Sequence, residues 1–574
     1  MIQGRGRQMK KIVIGILVLF FSLPSLAQQK PGEAQPEQGP KTAATAAKAM
    51  VSSSHPEVSR AMLDVLKKGG NAVDAMITAL ILQPILEPQM STLAGGMGAI
   101  IYEAKTNKLY YLDAELDHTG QGAPITAVLG AESAGVGETS GRRIGVPGTV
   151  AGLRAAAERF GTMKWADYFQ PAIRLAEQGF PMYSFLFAET QAASLGRLSA
   201  YASGRQEFMP DGFVPAVGST VRRPNLAKTL LRLAADGPDY FYKGEWARRF
   251  VNAVNATGGG MSMDDLAGYR ARWVEPVRST YRGYEIASAP PPSNGGALIE
   301  MVLNLAEQFD LGRMPHYTES PKTLALMRRI FELAETNTNA FVRDPLAADV
   351  PIEALLSKDY AKSLARLIDG SWPKTPLTEP PQVPAATSPH DGRDSFYSDT
   401  NHLVIADGMG NLVSVTHTVY GSTFATGLVV DGVGVNSGNG FPGTALGQGR
   451  RVVSPFPATM VMRNGKPWVA IGSPGLSSRA VAIVLTNLLG FEKGLYESVD
   501  APRFQGNQPT QAFEVESRVP DTVLDGLAAF GIRVQRTAPY NWHFGSVQAV
   551  MRDEKTGHLI GVADPRRAGY AAGY

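Results

Sequence analysis

Cysteine is absent from this chain. That absence excludes a thiolate nucleophile, a disulfide framework and thiolate metal sites. The eight histidines (His55, His118, His316, His390, His402, His417, His543 and His558) include no pair at the i, i+4 spacing of a helical zinc site, so nothing argues for a metal. Charge of one sign is also lacking. The formal net charge is +3 over 574 residues, with no basic field of the kind that nucleic-acid binders carry. Beyond the N-terminus no uninterrupted apolar stretch reaches spanning length. What remains is an ordinary globular composition, 44% hydrophobic and 19% charged, long enough for a large core. Gly 61 and Pro 39 point to many turns and close backbone approaches.

The N-terminus reads as an export signal over residues 1–27. Lys10 and Lys11 precede an apolar run from Ile12 to Leu23, and Ser25-Leu26-Ala27 forms a small-x-small cleavage site. The folded part is expected in the periplasm or outside the cell. Residues 28–42, rich in Gln, Pro, Gly and Glu, read as a disordered tether.

Helical spacing then predicts elements over 55–68, 72–82 (capped by Asn71), 150–160, 165–178, 226–235, 298–309, 323–336 and 359–368. Strands are expected at 99–103 and 109–112. Residues 370–399 carry repeated prolines and read as an extended loop. After that loop the composition turns to β: hairpins over 402–407 with 412–419 and over 458–462 with 467–471, and strands at 427–430, 513–516, 547–552 and 559–563. A helix is expected at 480–488. Two architectures fit this order: two domains divided at the loop, or one core with sheets from both parts.

Three common motifs carry little. Ala131-Glu132-Ser133-Ala134-Gly135 lacks the first glycine of an esterase elbow and no buried strand precedes it. Gly432-Val433-Gly434 with Gly438 has the wrong spacing for a nucleotide loop. Asn255-Ala256-Thr257 fits a glycosylation triplet that arises often by chance.

A longer set of segments, in chain order from Ala43 to the end, resembles the gamma-glutamyltransferase family. It includes Lys68-Gly69-Gly70-Asn71-Ala72-Val73-Asp74-Ala75, Glu87-Pro88-Gln89, Val146-Pro147-Gly148-Thr149 and Pro290-Pro291-Pro292-Ser293 with Gly295-Gly296. It continues with Thr400-Asn401-His402, Val415-Thr416-His417-Thr418 and Gly472-Ser473-Pro474-Gly475. The resemblance implies an α/β fold, the four-layer αββα sandwich of N-terminal nucleophile hydrolases, which favours the single-core architecture. It implies residues 43–399 as a large-subunit part and 400–574 as a small-subunit part, the two fragments of one chain forming a heterodimer.

The implied chemistry is physically consistent. A threonine hydroxyl is a poor nucleophile without a base. Cutting between Asp399 and Thr400 would give Thr400 a free α-amine with an intrinsic pKa of about 7.7–8.0, neutral often enough near pH 7 to take the hydroxyl proton. By resemblance Thr418 hydrogen-bonds the nucleophile, and the Gly475 and Leu476 N–H groups form the oxyanion hole, Leu476 being tolerable there if its φ stays negative. No cofactor is implied.

The departures concentrate on substrate recognition. The family's arginine for the substrate α-carboxylate falls at Glu115, with Arg142 or Arg143 as possible replacements. Its asparagine after Thr418 falls at Tyr420 or Gly421, and its amino-group segment at Asn436-Ser437-Gly438-Asn439-Gly440 holds no acid. Ser454 matches the first of two substrate serines, and the second is Pro455. The expected activity is an exported, self-cleaving amidohydrolase or acyltransferase acting on a small-molecule amide or γ-glutamyl compound, with glutathione hydrolysis as the default and no nucleic-acid or membrane partner. Glu115 points to a cationic or amino group on the substrate, or else is a solvated surface residue. The rival readings are a catalytically inactive exported binding protein and a serine esterase using Ser133.

Overall fold

A computed structural model of the chain describes residues 37–119, 137, 139–370, 400–440, 449–506 and 512–574. The signal peptide, Ser133, Asp399 and residues 371–399 lie outside the described residues.

Two seven-stranded sheets face one another. The first runs Ala44–Ala46, Leu559–Ala563, Gln548–Arg552, Lys466–Gly472, Thr459–Arg463, Tyr284–Ser288 and Val277–Tyr281. The second runs Tyr570–Gly573, Met50–Ser53, Asn401–Ala406, Leu412–Thr418, Gly96–Glu103, Lys108–Ala114 and Arg272–Val274. Each sheet interleaves strands from before and after the proline-rich stretch. Asn401–Ala406 pairs with Met50–Ser53, and Thr459–Arg463 pairs with Tyr284–Ser288. The two-domain alternative is excluded by these ladders.

The layering follows from side-chain alternation. On Asn401–Ala406, Val404 and Ala406 enter a core between the sheets with Ile100, Met460, Ala470 and Val550. Leu403 and Ile405 point the other way, into a core shared with helices Pro56–Lys67 and Ala72–Leu86. On the first sheet, Val461, Val469 and Ile471 pack beneath helices Asn294–Ala306, Pro321–Phe341 and Ser477–Leu485. Three apolar interfaces separate four layers, αββα, as expected. Strands covered on both faces bury every position, so their sequences are mostly apolar runs in which polar residues such as His402, Ser414 and Thr416 bond one another.

Helix Ala72–Leu86 starts where Asn71 accepts from Val73 N and Asp74 N, and the Asp74 carboxylate returns a bond to Asn71 N. It continues through Pro84, past the expected end at 82, and is buried throughout. The expected tether to residue 42 also ends earlier. Gly39 N donates to Pro565 O at 2.8 Å, and Lys41 is buried. Packing against the C-terminal segment orders residues whose composition alone reads as loose. Asn255 engages both amide atoms with Met261 N and O, closing a local turn. Gly432 sits between the short strands Val429–Val430 and Val433–Gly434, and a strand rather than a helix follows it in the chain.

Candidate active site

Thr400 immediately precedes a strand whose register pairs Asn401 with His417, which sets Thr400 opposite Thr418. The Thr400 hydroxyl donates to Thr418 Oγ1 at 2.9 Å. That same oxygen accepts from Tyr420 N at 3.0 Å, where the chain leaves the strand with Tyr420 at φ 58. A bulky residue in the left-handed region is strained, so this short connection is held rather than relaxed. On the other side of Thr400, Arg567 Nη1 donates to its carbonyl at 2.9 Å, and Arg567 also lies 5.2 Å from the Trp542 ring. Asn401 Nδ2 donates to Ser91 Oγ at 3.2 Å, so the segment after helix Ala72–Leu86 touches the strand start as well.

The nearby imidazoles are poor bases. His402 lies between Ser414 and Thr416, and burial holds it down to about 3. His417 contacts Gln83 and the Thr92 carbonyl, and burial holds it down to about 4. Both are neutral rings fixed as structural links, His402 between two strands and His417 from its strand to helix Ala72–Leu86 and the loop after it. Neither replaces an α-amine as proton acceptor for Thr400.

The turn Gly472-Ser473-Pro474-Gly475 crosses close to the start of this strand. A Cβ on Gly472 would meet the His402 ring at 2.0 Å, so only glycine lets the turn approach. Gly475 has φ 72, and a Cβ there would lie 2.8 Å from Gly545 Cα. Its N–H makes no hydrogen bond among the described residues. Leu476 has φ −59, meeting the sequence condition, but its N–H donates to His543 O at 3.3 Å. The long bond leaves Gly475 as the readier donor for a developing oxyanion, with Leu476 able to join only by exchanging that carbonyl.

The expected substrate residues fall into two groups. Glu115 is fully buried, and the solvated alternative is overturned. Ser454 Oγ donates to Glu115 Oε2, while Oε1 has no partner among the described residues. Burial pushes the Glu115 carboxyl well above the usual carboxylate range, and the charge of Asp113 adds to it, against the Ser454 bond and Arg451. Arg451, also buried, is engaged by Asp113 and Asp117. Tyr420 lies beside this group, its phenol raised well above the ordinary range by burial and then by Glu115. Burial and the nearby Asp113 thus favour the protonated form of Glu115, which weakens the basis of the cationic-substrate expectation.

Asn436 belongs to the second group. Its Oδ1 accepts from Gly145 N and Gly438 N, and its Nδ2 donates to Ala94 O and Gly145 O. All four amide positions bind main chain, so it ties the segment after Arg142 and Arg143 to the small-subunit part. It has no group left to offer a substrate. Arg567 is the functional candidate that sequence reasoning missed. Its run, Asp564-Pro565-Arg566-Arg567, carries no spacing signal, and only the fold returns it to Thr400.

The sequence matches the gamma-glutamyltranspeptidase family over residues 58–574. It is 31% identical to the glutathione hydrolase proenzyme of Bacillus subtilis (strain 168), covering 98% of this chain and 97% of that protein. It is also 31% identical to the acylase ACY 1 proenzyme of Pseudomonas sp. (strain SE83), over 87% of this chain and 89% of that one. Among solved structures, cephalosporin acylase from Bacillus halodurans superposes with a TM-score of 0.80 at 27% identity, covering 95% of this chain and 99% of that chain. Among the described residues, no helix is long and apolar enough to cross a membrane. Matched to the family model over residues 58–574 and to these enzymes across nearly all of its length, this chain belongs to the gamma-glutamyltranspeptidase family of hydrolases and acyltransferases.

Proposed function

We propose that this protein is exported, cuts itself before Thr400, and then uses the Thr400 hydroxyl to take an acyl group from an amide. The observation that carries the reading is the hydroxyl pair Thr400–Thr418 at 2.9 Å, fixed by strand register and by the Tyr420 N–H. In the cut protein the Thr400 α-amine accepts the hydroxyl proton as Oγ1 attacks the amide carbonyl. The Gly475 N–H, and Leu476 if released from His543, would hold the oxyanion. Collapse expels the amine, protonated by the α-ammonium, and leaves an acyl ester on Thr400. Water or a second amine then takes the acyl group.

The interleaved sheets support a two-fragment product that stays together, because each sheet needs strands from both sides of the cut. Glutathione is the first substrate to assay, given the relatives named as glutathione hydrolases. The acylase relatives and the raised Glu115 carboxyl support a second reading of the substrate, in which the acyl group is not an α-amino acid.

A denaturing gel with N-terminal sequencing tests the nucleophile. The wild type is expected as two bands, the smaller beginning Thr-Asn-His-Leu, with Thr400→Ala a single inactive chain. An uncut, active Thr400→Ala protein would refute the assignment.

A further inference from the structure

Arg567 bonds the Thr400 carbonyl, and two aromatic rings flank its guanidinium. The guanidinium carbon lies 5.2 Å from the centroid of Trp542 and 5.8 Å from that of Phe185, within the ~6 Å over which a ring face attracts a cation. Phe185, on helix Ser184–Ser194, meets Trp542 edge to face at 5.2 Å, and His543 stacks on Trp542 at 4.0 Å. The Met90 sulfur, 3.7 Å from Nη1, completes the contacts on this buried side chain that bear on its position. The acids that face Arg567 are weak anchors near neutral pH. Burial pushes the Glu87 carboxyl up to about 8 and the Glu189 carboxyl up to about 7, against the pull of Arg567. At pH 7 Glu87 is therefore mostly neutral and Glu189 is near its midpoint. Tyr183, a third titratable neighbour, has its phenol raised well above the ordinary range by burial and stays neutral.

The segment that carries Trp542 also runs along the glycine turn. Leu476 N donates to His543 O at 3.3 Å, and Ser546 N donates to Ser473 Oγ at 3.1 Å. A Cβ on Gly475 would lie 3.2 Å from His543 O, so turn and segment touch through their backbones. Asn541 Oδ1 accepts from His543 N at 3.1 Å and fixes the start of the segment. Buried Arg503 ties its far end to the C-terminal run. Nη1 donates to Phe544 O at 2.9 Å, and Nη2 pairs with Asp564, which opens the run Asp564-Pro565-Arg566-Arg567. One connected set of contacts thus leads from Thr400 through Arg567 to Trp542, and on through His543 to the donors expected for the oxyanion.

We infer that Trp542 is a positioning residue for the Thr400 reaction: its ring holds Arg567 against the nucleophile's carbonyl, from the same segment that seats the oxyanion turn. The inference rests on the proposed role of Thr400. A positive charge held at that carbonyl disfavours the α-ammonium, so the amine stays neutral to a lower pH. Without the ring, Arg567 is released and the amine returns toward its ordinary value of about 7.7–8.0. Trp542→Leu keeps apolar bulk without a ring face, and Trp542→Phe keeps a face. Trp542→Met, whose flexible side chain fills an irregular gap, replaces the Leu variant should that fail to fold. Competitive labelling of the Thr400 α-amine with acetic anhydride, read by mass spectrometry of the fragment beginning Thr-Asn-His-Leu, reports the amine in the processed two-fragment protein. The acid limb of kcat/KM reports it in turnover. Both midpoints are expected to rise by about half a unit or more in Trp542→Leu and to move back toward wild type in Trp542→Phe. In an Arg567→Met background, Trp542→Leu is expected to add no further shift, because it acts through Arg567. Equal midpoints in wild type and Trp542→Leu overturn the assignment, and so does a Phe variant no closer to wild type than Leu, the result of a packing role alone. A wild type with no Thr400 amine to label is a separate result: it overturns the proposed cut before Thr400, and the assignment to Trp542 falls with it.

Discussion

Thr418→Val is the most informative perturbation of the proposed mechanism. It replaces a buried hydroxyl by a methyl group of similar shape, so packing changes little. Among the described residues it removes the 2.9 Å bond from Thr400 and the 3.0 Å bond from Tyr420 N. Losing one bond to a buried partner costs about 1–3 kcal/mol. If the Thr400 bond serves the transition state in full, that range becomes a loss of about fivefold to 150-fold in kcat/KM. The Tyr420 N–H is left unsatisfied in a strained turn, so folding stability falls by a similar ~1–3 kcal/mol. Thr418→Ser keeps both bonds and serves as the control. The rate of fragment appearance from freshly made precursor, kcat/KM on an amide and the urea midpoint are measured for all three proteins. The expected order is wild type, then Ser, then Val. A Val variant equal to wild type in both rates would show that the hydroxyl pair is a structural coincidence.

Three further outcomes follow from the geometry. Gly475→Ala places a Cβ 2.8 Å from Gly545 Cα at a φ of 72, and should lower kcat about tenfold or more with a smaller effect on KM, read by steady-state kinetics. Arg567→Met removes a positive charge bonded to the Thr400 carbonyl, a charge that favours the neutral amine. The acid limb of kcat/KM against pH should therefore move up toward the ordinary α-amine value of about 7.7–8.0, and an unmoved limb would refute the electrostatic role. Glu300 is fully buried, and desolvation raises its carboxyl from 4.5 to about 8. The folded chain then holds a proton that the unfolded chain releases, so this group's share of stability is present below pH 4.5 and is lost as pH rises toward 8. Glu300→Gln should flatten that decline in urea midpoints measured between pH 5 and 8.

The strand pairing around Thr400 was legible because it depends on local rules. The Asp407-to-Asn411 hairpin fixes the pairing of Asn401 with His417, and through it the meeting of Thr400 with Thr418. Helix Ala72–Leu86 announced its start through Asn71 and Asp74. Its end did not show, because Pro84 reads as a stop, yet the buried apolar helix continues to Leu86. Met50–Ser53 and Tyr570–Gly573 escaped notice for another reason. They are short, rich in small residues, and become strands by pairing with each other across almost the whole chain. Val277–Tyr281 and Tyr284–Ser288 are absent from the strands expected above, although Arg282 and Gly283 at positive φ make a tight hairpin turn.

The recognition residues resisted reading because their meaning depends on neighbours that sequence cannot supply. Glu115 in isolation is a negative charge, and a substrate cation follows from it. In the fold its surroundings already include Asp113, and the nearest buried cation, Arg451, is engaged by Asp113 and Asp117. A second carboxylate there would be poorly compensated in a dry site, which favours the protonated form of Glu115 beside the Ser454 hydroxyl. The opposite holds for Thr400, whose proposed role needs one hydroxyl, a main-chain amine and main-chain donors. Machinery built from backbone survives substitution nearby, as at Leu476, where side-chain identity matters less than φ. Selectivity built from side chains has no such protection, and under the proposed role of Thr400 the departures of this chain concentrate in the residues expected to bind substrate.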